Sequence, residues 1–262
     1  MPATAHLPPR DGHARSPLDF HIVDESDDYL VVEKPPFLLI HPSKPGGPPT
    51  LWAALRDLLA FELVNGGQVS IVNRLDRETS GLVLIAKNAP AARRFGLAME
   101  QRRIEKEYLT IVNGWPSWET ITVDAALARQ GAHAPSAIWL KQAIHEEGAP
   151  ALTEFEVEDR FVRPSSLGGK FAIVRALPRT GRTHQIRVHL AHLGHPLVGD
   201  KIYGPNEQLY LRFIETGWSE ELQRQLLLPR HALHSARLRL DERLDWRSPL
   251  PLDLTSWMRS TN

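Results

Sequence analysis

The chain has 262 residues, 42% of them hydrophobic and 24% charged, with 31 basic against 31 acidic side chains and no cysteine. This is the profile of a globular protein long enough to bury a sizeable core. The missing cysteine excludes disulfides, thiolate zinc sites, iron–sulfur clusters and cysteine nucleophiles together. No apolar run approaches the roughly 18 residues of a membrane span, and the N-terminus lacks the apolar core and cleavage site of a secretory signal. A cytoplasmic protein without a membrane partner is expected.

In chain order, residues 1–18 read as a flexible tail, with Pro2, Pro8, Pro9 and Pro17 among His, Gly and Ser. Short β-rich runs at 20–24 and 29–34 flank the turn residues Ser26-Asp27-Asp28. After a Pro/Gly loop from Pro42 to Pro49, Thr50 reads as the N-cap of a helix over 51–64, with Leu51, Leu55, Leu58, Leu59 and Leu63 at helical spacing. Gly81–Lys87 is a continuous apolar run, expected as a central strand. Asn88 caps a helix to about Gln101, and 104–112 reads as a strand closed by Asn113-Gly114. Weaker strand signals lie at 120–124, 151–158 and 171–177. Residues 184–193 suit a short helix and 234–240 a late strand. The segment 205–229 reads as an insertion with one amphipathic helix through Leu209, Leu211, Phe213, Ile214 and Trp218. Strands and helices mix without regular βαβ alternation, so the expected class is α+β.

Charge is unevenly spread. Arg160 to Gly199 holds seven basic residues, four histidines and no acid. Such a stretch can form a face for a phosphate backbone, or its arginines can pair with acids folded in from elsewhere, such as Glu154–Glu158 or the C-terminal Asp241-Glu242. The histidines (184, 189, 192, 195) have neither zincin spacing nor a carboxylate nearby in sequence, so no metal is expected.

The sharpest stretch is Asn73-Arg74-Leu75-Asp76-Arg77-Glu78-Thr79-Ser80-Gly81. Flanking guanidiniums favour a charged carboxylate, and a loop at a strand edge is a common place for a catalytic group. A salt-bridged turn explains the local sequence as well.

The stretch Arg-Leu-Asp-Arg-x-Thr-Ser-Gly, followed by Leu-Val-Leu-Ile-Ala-Lys, resembles the signature of RluA-type pseudouridine synthases. The resemblance extends to Asp24–Pro42 with Lys34-Pro35-Pro36, to Lys106-Glu107-Tyr108, to Pro178–Leu190, and to Gly194-His195-Pro196 with Gly199-Asp200 and Tyr203-Gly204. It implies the pseudouridine synthase fold: a mixed, largely antiparallel sheet with flanking helices and a central catalytic cleft, occupying residues 19–262. It implies an isomerase acting on uridine in ribosomal or transfer RNA, monomeric and without cofactor. Asp76 matches the catalytic aspartate, Tyr108 the tyrosine that lies on the flipped base, and Arg187 the basic residue paired with the aspartate. Arg74 matches the arginine that helps extrude the uridine, and Arg77, Thr79, Arg182, His184 and Gln185 fall in the substrate-binding motifs. Asn73 stands where the family usually has His, which removes any role for charge there. Two rivals carry different expectations: a glycoside hydrolase using Asp76 with Glu78 or Asp200, and a non-catalytic RNA-binding module.

Overall fold

The first β-rich runs pair across their turn. In the computed structural model, which describes residues 20–42, 46–166 and 168–260, β1 (His21–Glu25) and β2 (Tyr29–Lys34) form an antiparallel hairpin. Ser26 Oγ pins the turn by accepting from the N–H groups of Asp28 and Tyr29 at 3.2 Å. The tail expected over residues 1–18 lies outside the described residues. Thr50 Oγ1 caps α1 (Leu51–Leu58) by accepting from Ala53 N–H at 3.2 Å. The single helix expected to residue 64 is instead divided, because α2 (Ala60–Val64) starts anew after Leu59 leaves helical geometry. Leu51, Leu55 and Leu59 are buried, but no residue of α2 is, so beyond Leu59 little packing holds one axis straight.

A short β3 (Ser70–Ile71) leads to β4 (Ser80–Ala86), every residue of which is buried. Asn88 then caps α3 (Ala89–Glu100), its Oδ1 accepting from Ala91 N–H at 2.8 Å. There follow β5 (Glu105–Asn113), β6 (Thr120–Asp124), β7 (Leu127–Arg129), β8 (Gln142–Ile144), β9 (Leu152–Val162), β10 (Lys170–Pro178) and α4 (Gln185–His192). Residues 205–229 hold two helices rather than one, α5 (Gln208–Thr216) and α6 (Glu220–Leu226). Gly217, at φ +74°, ends the first and Ser219 caps the second, a stop and a start inside one apolar pattern. The chain closes with β11 (Leu233–Arg239), β12 (Asp245–Arg247) and α7 (Leu252–Arg259). The class is α+β with largely antiparallel pairing, as expected.

The chain forms two compact units. The first joins the segment up to Glu107 with His234–Pro251; the second holds Tyr108–Leu233 and the segment from Leu252. In the first unit β4 is central: β2 and β3 lie antiparallel to it and β11 parallel, with β12 on β11. Its core packs Val31, Leu82, Leu84, Phe95, Ile104, Leu238 and Trp246. In the second unit β5, β10, β9 and β6 form an antiparallel run, and β7 with β8 make a separate hairpin.

The parallel pairing of β4 with β11 depends on Gly81. It sits at φ +109°, and a Cβ there would fall within contact distance of the Ser235 carbonyl oxygen. An L side chain would meet both a strained backbone and a backbone clash. Gly81→Ala should lower unfolding free energy by about 3 kcal/mol or more, measured by urea denaturation. A midpoint equal to wild type would show that this close approach is not required.

Candidate active site

The loop between β3 and β4 has no strand partner, so its backbone must be held by side chains. Two buried polar residues do this. Asn73 copies a strand edge: its Nδ2 donates to Leu82 O at 3.0 Å and its Oδ1 accepts from Leu84 N–H at 2.8 Å. This is a neutral donor–acceptor task, and it explains how Asn serves at a position where a charge is not needed. Lys34, at the end of β2, is fully buried and directs its ammonium at the carbonyls of Pro35, Leu38 and Arg77, at 2.8, 2.9 and 3.2 Å. The three N–H donors of the ammonium thus tie the Pro35–Leu38 turn to the residue that follows Asp76.

With these anchors set, the side chains take fixed directions. Leu75 is buried, Arg74 and Arg77 are exposed, and Asp76 is half-buried between them. Asp76 O accepts from Thr79 N–H at 3.1 Å, closing a tight turn that returns the chain to β4. Thr79 is itself buried. Arg77 Nε donates to Phe37 O at 3.3 Å. Arg74 lies near His41, whose pKa is lowered by burial first and by the Arg74 charge second.

In the second unit the expected residues gather around the start of α4. Gln185 is buried and its amide is fully used. Its Oε1 accepts from Thr180 Oγ1 (2.7 Å) and Arg182 N–H (3.0 Å), and its Nε2 donates to Leu152 O (3.0 Å) and Thr153 Oγ1 (2.9 Å). Two donors and two acceptors are all the amide has, so Gln185, expected among the substrate ligands, holds the Thr180–Arg182 turn. That turn leaves Arg182 exposed, with Nε donating to Pro150 O at 3.1 Å. His184 occupies the left-handed region (φ 58°) just before α4, and its Nδ1 lies 2.8 Å from the Tyr203 hydroxyl. Tyr108 is buried on β5, opposite Ala176 of β10.

Arg187 is buried and forks onto Asp200, with Nε to Oδ2 at 2.7 Å and Nη2 to Oδ1 at 2.9 Å. Burial by itself would raise the Asp200 pKa. The Arg187 charge and hydrogen bonds, with the N–H of Tyr203, outweigh it and hold the carboxyl well below the usual range. His231 is pushed well below its ordinary value, by burial and then by Arg187. The family motifs gave Asp200 no role as partner of Arg187, although it stands inside one of the resembling segments. Thirteen residues separate the two, and no helical or strand period links them.

The acid-free stretch 160–199 is acid-free only along the sequence. Strand β9 lies antiparallel to β10 and brings its glutamates across. Arg175 pairs with Glu156 (3.4 Å) and Glu158, and Arg179 forks onto Glu154 at 2.9 and 2.8 Å. Arg160 meets Glu119 at 2.8 Å, and Arg163 lies over the Trp257 ring. The alternative of pairing with acids folded in from elsewhere therefore holds for Arg160, Arg175 and Arg179. The histidines of the same stretch are dispersed. His189 lies between Thr153 Oγ1 (2.9 Å) and Ala125 O (3.0 Å), and His195 Nδ1 is 3.0 Å from Asn113 O.

Comparison with known proteins identifies the chemistry. Residues 28–192, more than half of the chain, match the family model for RNA pseudouridylate synthase. The ribosomal large subunit pseudouridine synthase D of Haemophilus ducreyi is 34% identical over 244 residues, covering 90% of this chain and 69% of that protein. The protein of the same name from Pseudomonas aeruginosa is 33% identical over 248 residues, covering 93% and 72%. Among solved structures, human RNA pseudouridylate synthase domain containing 1 gives a TM-score of 0.64 at 25% identity, over 96% of this chain and 99% of that one. Human RNA pseudouridylate synthase domain containing 4, at 22% identity, shares the fold with a TM-score of 0.68 over 90% and 91%. The chain belongs to the RNA pseudouridylate synthase family. Within it the chain is of the RluA type, an isomerase that converts uridines in RNA to pseudouridine. No helix among the described residues is long and apolar enough to cross a membrane.

Two outcomes follow from these ion pairs. Asp200 has a lowered folded pKa, so the stability it confers is whole above the unfolded value of about 3.9 and is lost as pH falls below it. Asp200→Asn should cost about 3 kcal/mol or more near pH 7, since it removes the charge that balances a buried guanidinium. The gap from wild type should narrow at pH 3, which urea unfolding at the two pH values would show. Separately, Arg160→Glu should lower the melting temperature by several degrees and leave the salt dependence of RNA binding unchanged. A flattened salt slope at constant melting temperature would return Arg160 to the RNA-binding surface.

Proposed function

We propose that the uridines isomerised by this enzyme lie in large-subunit ribosomal RNA and that Asp76 is the catalytic carboxylate. The target reading is supported by the relatives above, whose names specify the ribosomal large subunit. The Asp76 reading is carried by one observation: a half-buried carboxylate sits on a turn whose backbone is fixed by a buried ammonium and a buried amide. A solvated salt-bridged turn has no need of such anchoring.

The reaction breaks the bond from C1′ to N1 of uracil, turns the base, and forms a bond from C1′ to C5. One proton leaves C5 and one is gained at N1, so there is no net redox change and no group is lost. Asp76 meets the cationic character that develops at C1′, as nucleophile or as base. Tyr108 stacks on the base and accepts the C5 proton. Arg74 enters the gap left by the extruded uridine, recovering part of the unstacking cost. Its exposure supports that role. Arg77, Arg182 and His184 bind the substrate. The cysteine-free composition suits a reducing, cytoplasmic setting.

Pseudouridine mapped across total RNA, from cells with and without the gene, should show sites lost in large-subunit ribosomal RNA. A gene encoding Asp76→Asn should fail to restore them, while the purified variant stays folded and still binds RNA. Near-normal turnover by the Asn variant would overturn the assignment of Asp76. Sites lost only from transfer RNA would overturn the target.

A further inference from the structure

Between β7 and β8 the chain makes an excursion, residues 130–141, that none of the expected motifs includes. It displays aromatic groups outward. Trp139 is 73% exposed, and the Arg129 guanidinium lies over its ring, 3.7 Å from the centroid. The rings of His133 and His145 stack at 3.6 Å with planes 20° apart. Trp139 and His133 line one cleft of about 400 Å³, together with Gly131, Pro135 and Ser136. Among the described residues no carboxylate lies within ion-pair distance of Arg129, unlike Arg160, Arg175 and Arg179.

The excursion is fastened to the part of the second unit that carries the basic motif. Ile138, next to Trp139, is buried in a cluster with Leu127, Val188 of α4, Ile202 and Tyr203. Gln142 N–H donates to the Tyr203 hydroxyl at 2.8 Å, and that hydroxyl lies 2.8 Å from His184 Nδ1. Trp139 is thus a rigidly backed aromatic face with an unneutralised cation, on the same packed cluster as α4.

We propose that Trp139 and Arg129 form a second RNA contact, a platform on which an unpaired nucleotide outside the target uridine stacks. An exposed indole offers a flat apolar face that every base can cover. The stacked guanidinium supplies positive charge beside the phosphate and a cation–π contribution. A cleft of this size lies within the roughly 300–1,000 Å³ of small-ligand sites. RNA is already the substrate of this family, so an aromatic and cationic face on the RNA-modifying chain has a ligand of matching chemistry. A single-stranded segment fits it, because bases within a duplex cannot present their faces. This contact goes beyond the assignment of Asp76 and of the ribosomal target, and depends on neither.

The test is equilibrium binding of two RNAs, a blunt duplex and the same duplex with a single-stranded extension, to the full-length protein. Trp139→Ala should weaken binding of the extended RNA on the order of tenfold, the scale of losing one base–aromatic stack. Binding of the blunt duplex should change little, and the melting temperature should stay within a degree or so of wild type. Trp139→Phe should retain most of the affinity and Arg129→Ala should lose part of it. Phe61→Ala, which removes an exposed aromatic in α2, should leave both affinities unchanged. Wild-type affinity of Trp139→Ala for both RNAs would overturn the proposal. So would equal losses on both RNAs, a loss matched by a fall in melting temperature, or the same loss in Phe61→Ala. Because the readout is binding, it stands whatever the outcome for Asp76.

Discussion

Lys34 carries its ammonium into a place where water does not reach, and the shape of the Asp76 loop follows from that. A buried charge is tolerated only when its hydrogen-bonding capacity is met. Here three carbonyls meet it, two from the turn after β2 and one from Arg77. The same bonds satisfy carbonyls that no strand or helix would otherwise reach. Asn73 does the corresponding work from the other end of the loop, reading Leu82 and Leu84 as a neighbouring strand would. Between the two anchors Leu75 turns inward, and Arg74 and Arg77 have nowhere to go but out.

The second unit meets the same difficulty in the same way. Gln185 fixes the turn before α4 with an amide that has no unused donor or acceptor, and Asp200 fixes Arg187 with a two-bonded fork. Directional bonds of this kind set orientation more tightly than apolar contact does, and in a low dielectric they are strong when complete and costly when broken. The consequence is a sensitivity to acid that an apolar scaffold would lack, because Asp200 must stay ionised for the arrangement to hold.

The elements were legible where local chemistry decides them. The N-caps Thr50 and Asn88, the apolar run of β4 and the β-rich run of β2 all lie where the residues place them. What escaped was either too short to carry a period or depended on distant chain. Strands β3, β7, β8 and β12 have two or three residues each, and the helix break at Leu59 follows from burial ending there. The family motifs mark the candidate site residues within the sequence itself, yet they leave Asp200 without its partner, because that partner is chosen by the fold. Charge was the least legible feature. A stretch with no acid in sequence became a ladder of ion pairs, because strand order, which composition does not reveal, put Glu154, Glu156 and Glu158 opposite its arginines.

That pairing bears on how a chain with equal numbers of acidic and basic residues handles a polyanion. Arg160, Arg175, Arg179 and Arg187 each face a carboxylate, so four of the seven basic charges of this stretch are paired within the chain, one of those pairs buried. The counterion-release contribution to RNA affinity grows with each phosphate neutralised, so cations held in ion pairs contribute less to non-specific attraction. Discrimination must then rest on groups that recognise more than charge. The features on display fit that requirement: Arg74 on a fixed loop, Arg182 on a fixed turn, and an indole backed by a guanidinium on a rigid excursion. Each is a single exposed group carried on backbone that buried polar bonds or packing hold in place. A surface of this kind responds to the shape and unpairing of an RNA more than to its length.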